Sequence, residues 1–410
     1  MRLKDVASVN LRSLNESTRD DYTFKYIDIS SVSFADGITL GDDIIFADAP
    51  SRARRVVKKG DVLISTVRTY LRAIADIDWD AENIIASTGF AVYTPNNKIN
   101  TRFLAYAAKS TEVINQICAN SKGVSYPAIQ APILSAVEIP YFDIKAQEAI
   151  AAYLDRECEK IGRQIELLER KADAYKRLRR SIINRAVTRG LNPHAPLKPS
   201  GNDWIGNIPA HWSLNPLRSF ITLISPEKKE DRDSQLLSVT RDKGVIVRGE
   251  RGEDGNNNRI PDDLSNYKVV QKNQFVINKM KAWMGSYGVS NYDGIVSPAY
   301  YICDVHNIYE PFLSLAIRCK LYTNFFWKYS KGIRVDQWDM SPLALKEIPF
   351  VIPPNVEQKG IVAYLDEKCG KIDAVIEKIG SQVERLKELK RSLINEVITG
   401  KRAITPVSHD

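Results

Sequence analysis

The chain has 410 residues, a formal net charge of +8, 44% hydrophobic and 26% charged residues. At ~150 residues per domain this length excludes a single small module and predicts two or three domains, and the composition excludes wholesale disorder. Five scattered cysteines with no C-x-x-C spacing argue against a disulfide framework or a zinc site and fit a reducing cytosol.

In chain order, residues 1–144 read as a first lobe of mixed α and β. Its short apolar runs, such as Val62-Leu63-Ile64 after Lys59-Gly60-Asp61, are bounded by turn residues as strands are, and Phe103 to Ser110 reads as a short helix. Residues 145–189 predict a long helix, because Leu154, Ile161, Leu168, Tyr175 and Ile182 recur every seventh position, with Cys158, Ile165, Ala172 and Ala186 four residues after most of them. Residues 190–203 are rich in Pro and Gly and predict a linker. A second mixed lobe follows over 204–354, in which Pro311 to Lys320 reads as a short helix. The second long helix is predicted over 355–402, where Leu365, Ile372, Ile379, Leu386 and Leu393 hold one seam position and Cys369, Ile376, Val383 and Val397 the other. Residues 403–410 are left as a tail. No stretch nears the ~18 consecutive apolar residues of a bilayer span, so a soluble, cytoplasmic protein with no membrane partner is expected.

The two halves repeat. Gln147-Glu148-Ala149-Ile150-Ala151-Ala152-Tyr153-Leu154-Asp155 recurs as Gln358-Lys359-Gly360-Ile361-Val362-Ala363-Tyr364-Leu365-Asp366, and the same offset aligns Cys158 with Cys369 and Ile183-Asn184 with Ile394-Asn395. Fainter parallels precede each helix: Lys59 to Ile64 resembles Lys272 to Ile277, and Val67-Arg68-Thr69-Tyr70 resembles Met280-Lys281-Ala282-Trp283. The expected fold is therefore α+β: two mixed lobes joined by two long helices that form an antiparallel coiled coil, with a pseudo-twofold internal repeat. Over a repeat of about 42 residues each helix would be roughly 63 Å long.

These features resemble the specificity (S) subunit of type I restriction-modification systems. The resemblance rests on the Gln-x-x-Ile-x-x-Tyr-Leu-Asp helix starts at Gln147 and Gln358, on Ala186-Val187-Thr188-Arg189-Gly190 followed by Trp204-Ile205-Gly206-Asn207-Ile208-Pro209-Ala210-His211-Trp212, and on Leu393 to Lys401. It covers essentially the whole chain, although the Trp-Ile-Gly segment precedes only the second lobe. The resemblance implies two target-recognition domains, each reading one half of a split, asymmetric site in double-stranded DNA. It also implies helices that set the spacer and dock two methyltransferase (M) subunits, with or without nuclease-translocase (R) subunits. S-adenosylmethionine would be bound by the M partner and no cofactor by this chain. The residues agree independently, since two similar but non-identical readers predict unlike half-sites, whereas identical lobes would read a palindrome.

The leading DNA-contact candidates are Arg68 and Tyr70 in the first lobe and Lys279, Lys281 and Trp283 in the second, where a cation and an aromatic two residues on recur after a predicted strand. Such cations meet guanine edges or phosphates; the plainer alternative is a core ring beside a solvated cation. Arg241, Lys243, Arg248, Arg251, Asn257 and Arg259 form a polar stretch with the donors that base reading needs. Arg52, Arg54 and Arg55 are the corresponding basic cluster of the first lobe, suited to phosphates. Weaker candidates are Lys122 with Tyr126, and Lys331 with Arg334 and Gln337. From Lys160 to Arg189 there are ten Lys or Arg against three acids, a charge run that is either a solvated helix face or a sequence-blind DNA contact. No phosphate loop, G-x-G-x-x-G turn or Asn-Pro-Pro-aromatic motif is present, and the four histidines are dispersed, so a non-catalytic chain without a metal is expected. The competing reading is a coiled-coil scaffold or a self-contained DNA-modifying enzyme.

Overall fold

The structure is a computed structural model of the chain, and it describes all residues except 34–36, 81, 124–125, 226–233, 250–259, 261–262, 333–337 and 405–410. The chain divides into two compact units, residues 1–170 with 379–410, and residues 171–378. Each long helix thus begins in one unit and ends in the other.

In the first unit, strands β1 (Ala7–Val9), β2 (Thr23–Ile27), β3 (Asp43–Ile45), β4 (Ala53–Val56), β5 (Val62–Ser65), β6 (Ile74–Asp76), β7 (Ile84–Ser87) and β8 (Phe90–Pro95) form two four-stranded sheets. The order in one is β1-β8-β5-β6 and in the other β3-β2-β7-β4. Only β2 and β7 pair in parallel; the rest are antiparallel, with Phe90 opposite Ser65 and Tyr93 opposite Val62. All four residues of β5 are buried, which is why its sequence is a continuous apolar run rather than an alternating one. Helix Thr101–Lys109 starts where the Phe103 amide donates to the Asn100 side chain at 3.0 Å.

The first long helix, Ile144–Arg189, enters this unit's core through its opening turns. Ile150, Leu154, Cys158 and Ile161 share one apolar cluster with Phe103, Leu104 and Ile114 of the lobe and with Leu393, Ile394, Val397 and Ile398 of the second long helix, Asn355–Ile398. Ile165 and Leu386 pack against its edge.

The second unit repeats the first sheet's plan. Strands β9 (Ile221–Leu223), β10 (Phe275–Asn278), β11 (Tyr287–Val289) and β12 (Tyr300–Val305) pair in the order β9-β12-β10-β11, the counterpart of β1-β8-β5-β6. Around it Ile361, Leu365 and Cys369 of the second long helix and Ala186 and Val187 of the first join the lobe's aromatic core of Phe312, Tyr322, Phe326 and Phe350. Arg179 pairs with Asp373 at 2.9 Å, and Gly190 lies beside Glu357, so the two helix segments in this unit run antiparallel. Leu168, Tyr175, Ile182 and Ile376 are half-buried, and Ile372, Ile379 and Val383 are buried.

The glutamine that opens each repeated motif has a structural task. Gln147 is fully buried; its Oε1 accepts from the Asn100 amide at 2.8 Å, and its Nε2 donates to the carbonyls of Lys98 and Phe142 at 3.1 and 2.7 Å. Gln358 does the same in the second unit, accepting from the Tyr309 amide and donating to the Pro353 carbonyl, both at 2.9 Å. Each helix is thereby fastened to the lobe that precedes it.

The structure adds detail at three places. Residues 190–203, read as a linker, include Leu197–Pro199, which pairs antiparallel with Asn207–Pro209. The helix expected over Pro311 to Lys320 spans Glu310–Ile317, and a further helix that was not expected, Lys320–Tyr329, follows it. The second long helix ends at Ile398 rather than residue 402, and Gly400 follows at φ 72°, the left-handed stop that glycine adopts without strain.

Candidate nucleic-acid interface

In both units the strand that Val62–Ser65 and Phe275–Asn278 represent is followed by a 3-10 turn, Thr69–Leu71 and Ala282–Met284 respectively. In both, that turn meets the loop that leads towards the long helix.

In the first unit the Arg68 amide donates to the Pro127 carbonyl at 2.8 Å, the Ile129 amide donates to the Thr66 carbonyl at 2.8 Å, and the Lys122 and Ala128 backbones close the second loop on itself at 2.8 and 2.9 Å. The Arg68 guanidinium lies 4.7 Å from the Tyr126 ring centroid. The ring that engages Arg68 is thus Tyr126, 58 residues away, not Tyr70. Arg68, Tyr70, Lys122 and Tyr126 are all exposed. Arg68 and Arg72 flank the turn with φ of 49° and 54°, in the left-handed region, which costs ~1–2 kcal/mol each for a residue with a Cβ. Thr69 between them is buried, its Oγ1 3.0 Å from Ser121 Oγ.

In the second unit the Met340 amide donates to the Lys279 carbonyl at 3.0 Å, joining the turn to the hairpin Ser330–Lys331 with Asp339–Met340. Trp283 packs on Trp338 with centroids 5.2 Å apart, and Trp327 meets Trp338 at 5.9 Å. The indole N–H of Trp283 donates to the Met280 carbonyl at 3.2 Å. Lys281 and Lys331 are exposed and Lys279 is half-buried. Arg334 and Gln337 of this loop, and Arg251, Asn257 and Arg259, lie outside the described residues.

The remaining candidates are more dispersed. Arg241 and Lys243 are exposed in the hairpin turn between Leu237–Thr240 and Gly244–Val247, and Arg248 is half-buried just after it. Arg52 is exposed, but Arg54 sits at a bulge in β4 with its guanidinium 4.8 Å from the Phe46 ring centroid, and Arg55 is half-buried. These three do not present a uniform cationic face. Sequence reading missed Trp327 and Trp338, whose only signal was aromatic residues within and after a polar loop, and Leu71 and Arg72, which directly follow the flagged pair.

Residues 1–171 match the family described as the type I restriction modification DNA specificity domain. This part of the chain is thus similar to that family. The specificity subunit of the HindI type I restriction enzyme of Haemophilus influenzae is 29% identical over 106 residues, which is 25% of this chain and 23% of that relative. The matched stretch thus spans about a quarter of the curated relative's length. A solved chain from a study of complex assembly and conformational transition of the type I R-M system is 20% identical, with a TM-score of 0.65 over 97% of this chain and 96% of that one, so the same fold runs through nearly the whole chain. The HsdS subunit of Thermoanaerobacter tengcongensis is also 20% identical, covering 98% of this chain and 96% of its own, with a TM-score of 0.46. Among the described residues no helix is long and apolar enough to cross a membrane, and no group of three His, Cys, Asp or Glu is placed to hold a metal ion.

Away from the loops, the first unit contains a cavity of about 500 Å³ lined by Arg102, Asp76, Asp155, Tyr106, Lys109 and Cys158, among others. Arg102 donates to Asp76 at 2.8 Å and also to Asp155, which accepts from the Tyr106 hydroxyl at 2.7 Å. Burial pushes the Lys109 ammonium down to about 8, helped by Lys390 and opposed by Asp76. Its folded value lies below the 10.5 of a solvated lysine, so between those pH values the unfolded chain binds a proton the folded chain has lost, and stability rises with pH. Lys109→Met is therefore expected to stabilise the protein by about 1–3 kcal/mol near neutral pH. Urea unfolding should show that gain shrinking as pH is raised from about 8 to 10.5; a gain that grew with pH would contradict the assignment.

Proposed function

We propose that this chain is the non-catalytic DNA-sequence specificity subunit of a type I restriction-modification complex. Each lobe reads one half of a bipartite, asymmetric target, and the long helices set the spacer and dock two M subunits, with R subunits joining for cleavage. S-adenosylmethionine belongs to the M partner, which supplies the methyl transfer. The observation that carries this reading is the recurrence, in two non-identical units, of one sheet order with the same two loops meeting beyond the third strand. One scaffold then bears two different sets of side chains: Arg68, Tyr126 and Lys122 in one unit, Lys281, Trp283 and Trp338 in the other.

The ten cations between Lys160 and Arg189 add affinity for the intervening duplex without sequence preference, a contribution that falls as salt rises. Purifying the chain alone and with M subunits tests the reading: methyl transfer is expected only in the complex, and robust transfer by the chain alone would make it a self-contained enzyme. Within a lobe, Arg68→Ala or Lys281→Ala is expected to weaken specific DNA binding by ~1–3 kcal/mol if the residue reads a base. Unchanged affinity in titrations, with the fold intact, would return that residue to the solvated class.

A further inference from the structure

Tyr70 and Leu71 are adjacent, apolar in bulk, and 54% and 51% exposed at the tip of the Thr69–Leu71 turn. The Tyr70 ring and hydroxyl meet no partner among the described residues, unlike Trp283 at the equivalent turn, whose ring is covered by Trp338 and whose N–H is satisfied within its own turn. The turn beneath them is firmly held. Thr69 is buried and bonded to Ser121, the Arg68 amide is tied to Pro127, and the Leu71 and Arg72 amides donate to the Arg68 and Thr69 carbonyls at 2.9 and 3.1 Å. Arg68 and Arg72 flank the pair in the chain, Lys122 follows the Ser121 that bonds Thr69, and neither 66–72 nor 121–130 contains an acidic residue. A rigidly presented aromatic and aliphatic tip flanked by cations complements a polyanion whose interior is apolar and stacked, which is the description of duplex DNA.

We propose that Tyr70 and Leu71 form a wedge that enters the base stack of the half-site read by the first lobe, while Arg68, Arg72 and Lys122 hold the flanking phosphates. The inference rests on the DNA-reading function proposed above and goes beyond it in assigning a local distortion of the DNA to one lobe only. At the same place in the second lobe the turn's ring, Trp283, packs on Trp338, and the exposed side chain before that turn is Met280, which has no ring to stack on bases.

The test uses the chain in complex with M subunits and duplexes carrying its target, found by mapping methylated sites, with 2-aminopurine placed in turn at each position of both half-sites. The expected result is a several-fold rise in fluorescence at one step of the first half-site on binding, and none at the matching step of the second. In Tyr70→Ala/Leu71→Ala the rise should vanish and affinity should fall about tenfold, whereas Tyr70→Trp should keep the rise and Arg68→Ala should weaken binding without removing it. Specific binding by the wild-type complex with no fluorescence change at any step would overturn the wedge and leave DNA reading intact. Absence of sequence-specific binding by the wild-type complex would overturn the reading itself and the wedge with it. If the double variant instead failed to assemble with M subunits in the absence of DNA, the tip would be a protein-docking surface and the proposal would be wrong.

Discussion

Replacing residues 1–140 by the matching lobe of another such subunit is expected to change one half of the methylated sequence completely while leaving the other half and the spacer length as they were. The physical reason is that the first lobe's candidate reading loops are positioned by their own unit. Thr66 and Arg68 are tied to Ile129 and Pro127 by backbone hydrogen bonds, and the sheet beneath them has its own apolar cluster. The partners that hold Arg68 and Tyr126 among the described residues belong to the first unit. The second lobe, with Lys281, Trp283 and Trp338, should continue to read its half-site unchanged. A swap that altered both halves would show that the lobes read jointly and would defeat the two-reader account.

The largest stability effect is expected from Gln147→Leu. The substitution is close in volume but removes three hydrogen bonds at once, leaving the Asn100 amide and the carbonyls of Lys98 and Phe142 without their partner in a buried site. Each lost bond costs about 0.5–1.5 kcal/mol, and buried groups left unsatisfied add to it, so a loss of about 3 kcal/mol is expected in urea unfolding. Gln358→Leu should cost somewhat less, because its side chain makes two such bonds. If Gln147→Leu were neutral, the repeated glutamine would not be what fastens helix to lobe.

The helices were the most legible part of the chain, because a seam of apolar residues every seven positions is imposed by helix geometry alone and Leu154, Ile161, Leu365, Ile372 and Leu393 are indeed buried. The strands Val62–Ser65 and Phe275–Asn278 were legible for a related reason, since a central strand buried on both faces is an apolar run between turns. Gln147 and Gln358 were visible as repeats but not as anchors: a buried glutamine satisfied by backbone looks, in a sequence, like any solvated polar residue. The aromatic segment Lys320–Tyr329 hid a helix, because Tyr322, Phe325 and Phe326 are rings that suit either a strand or a core-facing helix. Within the candidate site, the cation and turn aromatic after each strand could be picked out, but their true neighbours could not. Arg68 and Tyr126, like Trp283 and Trp338, are brought together by two loops meeting, and no local periodicity encodes that distance along the chain.

The central claim is that one chain carries two different readers of a single split DNA site. Sequencing the methylated positions across the genome of a cell that carries this chain with its M partner tests it most directly. The account predicts one bipartite motif with two unlike specific halves separated by an unspecified spacer of fixed length. A continuous motif, or one whose halves are inverted copies of each other, would contradict it.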